Sequence, residues 1–382
     1  MKDHFKALPF FVFLLCCPLL IFAQNIKPYI SARVDTSKTE VKAIYQLYTN
    51  YLNSRPDSSY ANPYWNKNDY YPALLENQIP IDRSASLMFG TYFKGFMKYY
   101  EPLILQIDSL NNNLYQVKTI FKSNKAEADS TGTSISYITN LYVQRDENGN
   151  FKLENTINER TRNWETIHYK FITYIIHPNC KFNEKEAENA IKFCEEIAKK
   201  FGLQIKPFKY YILPNVDELG RIYNFDYWTY YIGGQTNLPL REIFTTYSNT
   251  NYPHELVHMM FPLQENPPPN IISEGLATWL GGPKYGVSFE QALKETSKTL
   301  KTYENPTFEA IVNNKIRNKF DSNLQYVTGA ILCKMAFEKK GKEAIWTLYH
   351  SDKKDLDKNI ENIFGKPINE IHEDILTYIL KE

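Results

Sequence analysis

The sequence lacks an excess of charge of either sign. It has 44 lysine and arginine residues and 43 aspartate and glutamate residues, so its net charge at pH 7 is +1. Proteins that bind nucleic acid or an acidic membrane surface carry a basic balance or a basic patch. We therefore expect no nucleic-acid partner. The hydrophobic fraction of 43% is that of a globular protein and excludes general disorder.

Cysteine is scarce, and its spacing supports no framework of disulfides. Of five cysteines in 382 residues, Cys16 and Cys17 fall in an apolar N-terminal run. The others are Cys180, Cys194 and Cys333, and an odd number excludes a complete set of pairs. Two alternatives remain: a disulfide between Cys180 and Cys194, or three buried thiols. No cysteine has a C-x-x-C partner, so the sequence does not support a thiolate metal site.

Long apolar runs are absent after the first 23 residues. Lys2 and Lys6 precede an apolar run that ends at Ala23, and polar sequence begins at Gln24. A charged start, an apolar centre and a small residue at the end are typical of an export signal peptide. We expect residues 1–24 to be removed and the chain to act in the periplasm or outside the cell, without a membrane span. Retention of the run as an anchor is the alternative.

Residues 39–160 combine helical and strand-like patterns after a linker at 25–38. Apolar residues recur at helical spacing from 39 to 52, and a second helix is predicted at 87–100. The strand-like runs that follow are 103–107, 114–121, 134–144 and 151–155. Helices followed by an antiparallel meander predict a small α+β domain. This order resembles the cone-shaped domain of the nuclear-transport-factor-2-like superfamily, which implies an accessory or substrate-positioning role.

The pattern changes at residues 158–163, where a charged stretch predicts a domain boundary. The elements predicted after it are a β-rich run at 168–176, an amphipathic helix at 184–201, and strands at 208–213 and 243–247. The whole chain is therefore expected to be an α+β protein. Its second domain, residues 164–382, is predicted to contain a small sheet followed by mostly helical structure.

The most specific motif is His254-Glu255-Leu256-Val257-His258, which has the pattern HExxH. Residues four apart lie on one face of a helix, so His254 and His258 can bind one metal ion. Glu255 lies beside them, where a carboxylate can accept a proton from an attacking water. Among only seven histidines, this pattern arises by chance on the order of once in a hundred such chains. We therefore predict a metal centre.

The residues around the motif predict the limits of its helix. Pro253 suits the first helical turn, because a proline there loses no hydrogen bond. Thr250 or Asn251 is a suitable N-cap. Pro262 is expected to end the helix. Both histidines are thus expected on one short, rigid element.

A catalytic zinc takes three protein ligands and leaves a fourth position for water. Phe261 and Gln264 stand where the metzincin extension of the motif has glycine and histidine, so that class is excluded. Glu274 comes early in a second predicted helix, which Asn270 is expected to cap and Gly281-Gly282 to end. We predict Glu274 as the third ligand. The alternative is a first-turn glutamate that the helix dipole favours.

The segment that starts at Glu274 has the form E-G-x-A, and with HExxH it resembles the gluzincin zinc metallopeptidases of the peptidase-MA-like, aminopeptidase M1-like group. The resemblance covers residues 164–382. It implies one Zn²⁺ per chain, bound by His254, His258 and Glu274, with Glu255 as the general base. A Y-x-x-G segment begins at Tyr326. The resemblance implies that the Tyr326 hydroxyl stabilises the tetrahedral oxyanion.

The same group has a strand of the form G-x-M-E-N upstream of HExxH. The corresponding residues here are Gly233, Gly234, Gln235, Thr236 and Asn237. The resemblance implies that they form an edge strand that pairs with an extended substrate. Thr236 replaces the glutamate that would bind a free amine, which favours internal cleavage.

The expected function is hydrolysis of a peptide or protein substrate by an exported, zinc-dependent endopeptidase. One alternative is an aminopeptidase in which Asp226 or Glu242 supplies the missing acid. A second is a zinc-containing binding protein without catalysis, which the presence of Glu255 disfavours. The remaining histidines are predicted to be structural or surface residues; they are His168, His177, His350 and His372.

Overall fold

The computed structural model describes most of the chain after the N-terminal run. The described residues are 26–54, 62–72, 78–80, 82–88, 100–124, 136–229, 231–313, 315–316 and 324–382. The signal peptide predicted at 1–24 lies outside them, and so does most of the helix predicted at 87–100. Within the described residues, no helix combines the length and the apolar character that a bilayer crossing requires.

Both helices and strands are present, which confirms the α+β class. The described helices are α1 (Thr39–Leu52), α2 (Arg83–Met88), α3 (Ile157–Thr161), α4 (Glu184–Phe201), α5 (Val216–Ile222), α6 (Pro253–Met260), α7 (Asn270–Gly281), α8 (Phe289–Leu300), α9 (Phe308–Val312), α10 (Leu324–Tyr349), α11 (Leu356–Phe364) and α12 (Ile368–Lys381), with a 3₁₀ turn at Lys67–Asp69. The helix α10 is interrupted by a kink at Lys340 and Gly341, whose backbone is not helical. The described strands are β1 (Tyr29–Ile30), β2 (Tyr70–Pro72), β3 (Gln78–Pro80), β4 (Tyr100–Ser109), β5 (Leu114–Ser123), β6 (Ser136–Arg145), β7 (Phe151–Glu154), β8 (Glu165–Tyr169), β9 (Ile172–Ile176), β10 (Phe208–Ile212), β11 (Phe225–Tyr227), β12 (Gly234–Asn237) and β13 (Glu242–Thr245).

The helices α1 and α4 occupy the residues predicted for them. In α1, the buried side chains recur at intervals of three and four residues, which places them on one face. In α4, the Asn183 side chain accepts a hydrogen bond from the Glu186 backbone N–H at the start. Gly202 ends the helix with φ of 71°, a left-handed conformation that glycine adopts without strain. Local sequence was sufficient to define both helices.

The first sheet is built mainly from the N-terminal part of the chain. Its order is β1-β4-β5-β6-β11, and β7 also pairs with β6. The strands β4, β5, β6 and β7 form the predicted antiparallel meander. The short strand β1 pairs in parallel with β4, so part of the predicted linker is an ordered strand. The strand β11 comes from much later in the sequence and pairs antiparallel with β6.

The second sheet has the order β12-β13-β10-β9-β8. Its three central strands are parallel, and α4 makes the crossover from β9 to β10. The β-rich run predicted at 168–176 is in fact part of a hairpin, because Lys170 turns the chain with φ of 53° between β8 and β9. The strand β12 is antiparallel to β13 and lies at the edge of the sheet.

Both faces of the second sheet are covered. Successive side chains of a strand point to opposite faces, and in β10 this alternation separates two apolar clusters. Tyr210 and Ile212 pack with the helices that follow the sheet. Tyr211 and Phe244 of β13 belong to the apolar cluster that also contains buried side chains of the N-terminal meander and of α1. The N-terminal part of the chain therefore packs directly against the sheet that carries β12.

Candidate metal centre

The helix α6 carries the HExxH motif. Pro253 is its first residue, as predicted, and Phe261 follows its last turn. The predicted side-chain cap is wrong, because the N-cap is Tyr252 and no side chain caps the helix. The Thr250 hydroxyl instead accepts a hydrogen bond from the Asn183 backbone N–H at the start of α4. Thr250 therefore bonds to a residue far away in the sequence instead of capping α6.

The helix α7 carries Glu274 in its first half. Asn270 is its first helical residue rather than its cap, so that prediction is also wrong. The residue before the helix is Pro269, whose carbonyl accepts hydrogen bonds from the backbone N–H groups of Ile272 and Ser273. The helix ends at Gly282 with φ of 85°. The predicted end of this helix is confirmed.

The three predicted metal ligands lie together. The His254 Nε2 atom is 3.2 Å from Glu274 Oε2 and 3.3 Å from His258 Nε2. The distance from His258 Nε2 to Glu274 Oε2 is 3.7 Å. Ligands about 2.0–2.1 Å from a tetrahedral zinc ion lie about 3.4 Å from one another. The observed spacing fits one zinc ion among these three atoms.

Both histidines are oriented by contacts on the side of the ring away from the other ligands. The His254 Nδ1 group donates to the Gly282 carbonyl at 2.7 Å. Because a carbonyl only accepts, Nδ1 carries a proton, so a metal would take the place of the proton that Nε2 shares with Glu274 and bind the Nε2 lone pair. The His258 Nδ1 atom lies 3.4 Å from Ser273 Oγ. The helix α7, together with the Gly282 residue that follows it, thus supplies one ligand and orients two others.

The ligand cluster favours positive charge. Burial alone would raise the pKa of Glu274, but its hydrogen bonds with His254 and His258 outweigh burial and hold that pKa well below its ordinary value. Burial would lower the pKa of His254, but Glu274 and Glu255 outweigh it and raise the pKa. The carboxylates therefore attract a cation to the position between the rings.

Glu255 lies beside the ligands and is only 6% exposed. Its Oε2 atom accepts a hydrogen bond from the Thr236 hydroxyl at 2.6 Å. The strand β12 passes so close that a Cβ atom on Gly234 would lie 2.7 Å from Glu255 Cγ. Gly234 is therefore required where the edge strand meets α6.

Tyr326 lies beside His254. Its ring stacks on the imidazole with centroids 6.1 Å apart and an interplanar angle of 16°. Burial, followed by the charge of Glu274 and a hydrogen bond to it, raises the pKa of Tyr326. The phenol therefore keeps its proton and can act as a donor.

A pair of glycines brings Tyr326 to the ligands. A Cβ atom on Gly275 of α7 would lie 2.4 Å from the backbone carbon of Gly329, and one on Gly329 would lie 2.2 Å from the Ile271 carbonyl oxygen. No side chain fits between these backbones. The glycines of the E-G-x-A and Y-x-x-G segments thus allow α7 and α10 to touch.

The site opens into a cleft of about 880 Å³. Four of the five predicted strand residues line it, namely Gly233, Gly234, Gln235 and Thr236. Asn237 does not line it, and its Oδ1 atom accepts a hydrogen bond from the Leu240 backbone N–H. An apolar pocket of about 230 Å³ adjoins the cleft and is lined in part by Leu238, Val257 and Phe261.

Four tyrosines that the sequence alone does not single out also line the cleft. They are Tyr231, Tyr247, Tyr252 and Tyr285. The rings of Tyr247 and Tyr285 stack with centroids 6.0 Å apart, and the Tyr231 and Tyr247 hydroxyls are 3.2 Å apart. With 29 tyrosines in the chain, no sequence signal singled these out. Only the fold brings them together.

The two acids considered as amine ligands lie elsewhere. Glu242 is buried and pairs with Arg83 at 2.8 Å. Asp226 pairs with Lys118 at 2.6 Å. Neither carboxylate lines the cleft. Both are therefore excluded as replacements for the acid that Thr236 lacks.

The remaining histidines and cysteines have other contacts. His372 stacks on Phe308, His350 stacks on Trp346, His177 packs edge-on against Trp164, and His168 lies 3.2 Å from Thr173 Oγ1. Of the two alternatives for the cysteines, the described chain has three free thiols. The Cys180 thiol, which is only partly buried, lies 3.4 Å from Ser248 Oγ.

A scan against protein-family models and a search of the curated proteins both give no match for this chain. The geometry of the site indicates its chemistry. It brings together three ligand atoms with the spacing of a zinc site, a buried carboxylate beside them and a phenol donor. With a zinc ion bound among the three ligand atoms, such an arrangement would be able to add water to a polarised carbonyl group.

Proposed function

We propose that this chain is an exported, zinc-dependent peptidase. The observation that carries the proposal is the spacing of 3.2 to 3.7 Å among the ligand atoms of His254, His258 and Glu274, with Glu255 beside them. When bound there, a zinc ion would lower the pKa of a coordinated water and polarise the scissile carbonyl. One ion per chain is expected.

The side chains of the cleft have separate roles in the proposed reaction. Glu255 accepts a proton from the attacking water and later delivers it to the leaving amine. Tyr326 donates a hydrogen bond to the oxygen that becomes negatively charged in the tetrahedral intermediate. His254 and His258 keep their ring orientation through Gly282 and Ser273. The bond broken is the amide of a peptide.

An extended peptide is the proposed substrate. The strand β12 is an edge strand beside the ligands, and an edge offers unpaired backbone groups to a further strand. The adjoining apolar pocket supports the binding of one apolar side chain of that peptide. Among the described residues that line the cleft, the acids are Glu255 and Glu274. Because both have roles at the metal, we propose internal cleavage rather than removal of N-terminal residues.

The second candidate is a zinc-containing binding protein without turnover. Such a protein requires the three ligands but has no use for a buried carboxylate next to them. Glu255 is 6% exposed and held by a hydrogen bond, and burying a charge is costly. Its presence supports catalysis over binding alone.

The test combines metal analysis with turnover of a peptide library. Purified protein is expected to contain about one zinc per chain, in line with a mononuclear site, and to lose activity with a chelator. His258→Ala is expected to lose the metal. Glu255→Gln is expected to keep it and to lose nearly all turnover, because only the proton acceptor changes. Glu265→Gln, at an exposed loop position, is the matched control.

Two results would contradict this proposal in different ways. Native protein that contains no zinc and binds none on addition would exclude the metal centre itself. Protein that binds zinc but cleaves no peptide, with Glu255→Gln indistinguishable from the native chain, would favour the binding protein.

A further inference from the structure

The Thr236 side chain contacts the proposed base rather than the open cleft alone. Its Oγ1 atom lies 2.6 Å from Glu255 Oε2 and 3.2 Å from the Glu255 backbone oxygen. A hydroxyl has one proton to donate, and an ionised carboxylate is the stronger acceptor. The short contact is therefore a charge-assisted hydrogen bond from Thr236 to Oε2.

This bond restrains the carboxylate. Within the described part of the chain, Thr236 is the only side chain that hydrogen-bonds to Glu255. The second oxygen, Oε1, lies against the strand at Gly234, where an added Cβ would come within 2.8 Å. One oxygen is thus held while the other has no hydrogen-bond partner among the described residues. Thr236 and Gly234 are two apart in β12 and so face α6 together.

We infer that Thr236 is a positioning residue that holds Glu255 in its reactive orientation. This rests on the proposed function, in which Glu255 is the general base. Thr236 acts through the base and takes no proton itself. Because it belongs to the strand proposed to pair with substrate, it also links the position of that strand to the position of the carboxylate. A carboxylate that turns away from the water loses catalysis even when the metal is bound.

A neutral hydroxyl suits position 236 if the side chain there is to orient Glu255. An aspartate that kept the reach of the Thr236 side chain would place a second carboxylate within hydrogen-bond distance of Glu255, and two like charges at that distance repel each other. A hydroxyl of similar reach donates instead. Thr236 therefore does more than replace a glutamate that would bind an amine. Its side chain orients the proposed base, Glu255.

The experiment compares Thr236→Val with Thr236→Ser in the full chain. Valine has nearly the shape of threonine and suits a strand, but it cannot donate. We expect Thr236→Val to lower kcat about tenfold to a hundredfold, with KM and zinc content unchanged, since hydrogen bonds to charged groups are the strong ones. Thr236→Ser keeps the hydroxyl and should retain kcat within about threefold. Thr166→Val on the exposed face of β8 is the matched control.

Two readouts keep this test separate from the test of the proposed function. If native protein cleaves peptides and Thr236→Ser loses as much activity as Thr236→Val, packing rather than the hydroxyl matters and the inference is overturned. Crystal structures of the native and Thr236→Val proteins give a second readout that needs no activity. We expect the Glu255 carboxylate to leave its native position in the variant. An unmoved carboxylate overturns the inference, even in a protein that cleaves nothing.

Discussion

At the residue scale, the site depends on side chains that are buried and held from two directions. His254 contacts Gly282 with one ring nitrogen and Glu274 with the other. Tyr326 stacks on the same ring. A ring fixed on both edges and on one face loses little further freedom when a metal binds, which favours a well-defined coordination geometry.

The proposed role of the Tyr326 hydroxyl as a hydrogen-bond donor can be tested by removing its oxygen atom. Tyr326→Phe keeps the ring that stacks on His254 and loses only the hydroxyl. We expect zinc binding to persist and kcat to fall about a hundredfold, the usual effect of removing one oxyanion donor. Steady-state kinetics with metal analysis is the measurement, and Tyr227→Phe, exposed on β11, is the control. Unchanged kinetics in Tyr326→Phe would assign the side chain to packing alone.

At the scale of elements, the site lies where β12, α6, α7 and α10 meet. Close contacts at Gly234, Gly275 and Gly329 bring these backbones together. Gly281 adds another, because a Cβ there would lie 2.5 Å from the Pro253 backbone carbon at the start of α6. Larger side chains at these positions would separate the elements and with them the ligands.

If the proposed function is right, the edge strand also determines which peptides fit. Its residues at the cleft are uncharged, and the two acids of the cleft are assigned to the metal and the base. A free α-amine would lose hydration there without gaining a counter-charge. We therefore expect N-acetylated peptides to be cleaved at least as well as their free-amine twins, at internal bonds. Product mapping by mass spectrometry is the measurement. Strong preference for the free amine, with single residues released in order, would show that the cleft does bind an N-terminus.

At the scale of the whole molecule, the N-terminal part is joined to the sheet that carries β12. The strand β11 pairs with the first sheet, and Tyr211 and Phe244 pack into the N-terminal apolar cluster. Arg83 of α2 forms an ion pair with Glu242 of β13, and the side chains are 4% and 6% exposed. Since β13 is the neighbour of β12, the N-terminal part supports the edge strand through one intervening strand.

The contribution of this junction to stability can be tested by removing one partner of the buried ion pair between Arg83 and Glu242. Arg83→Met leaves the Glu242 carboxylate buried without its cation, and we expect the free energy of unfolding to fall by about 3–5 kcal/mol. Adding Glu242→Gln should restore part of the loss. Denaturant unfolding is the measurement. Lys366→Met, which breaks an exposed pair with Asp374, should cost no more than about 1 kcal/mol. Equal losses in Arg83→Met and Lys366→Met would show that the two parts are not coupled in this way.

The sequence by itself determined the elements whose signals are local. The helices α1 and α4 follow from apolar spacing, and the meander follows from strand-like runs. The placement of His254, His258 and Glu255 on one helix follows from the geometry of an α-helix, which fixes which residues share a face. These features depend on residues within a few positions of one another.

Tertiary structure decided whatever depends on residues far apart in the chain. The cap of α6 could not be predicted, because Thr250 bonds to the start of α4 instead. The pairing of β11 with β6 joins segments about 90 residues apart, and local spacing carries no information about such a partner. The same holds for the hydrogen bond from Thr236 to Glu255, which exists only because a glycine lets the edge strand approach α6. The sequence indicated the residues of the proposed site, whereas the packing of distant segments set the distances between them, because contact across the fold depends on how every intervening element packs.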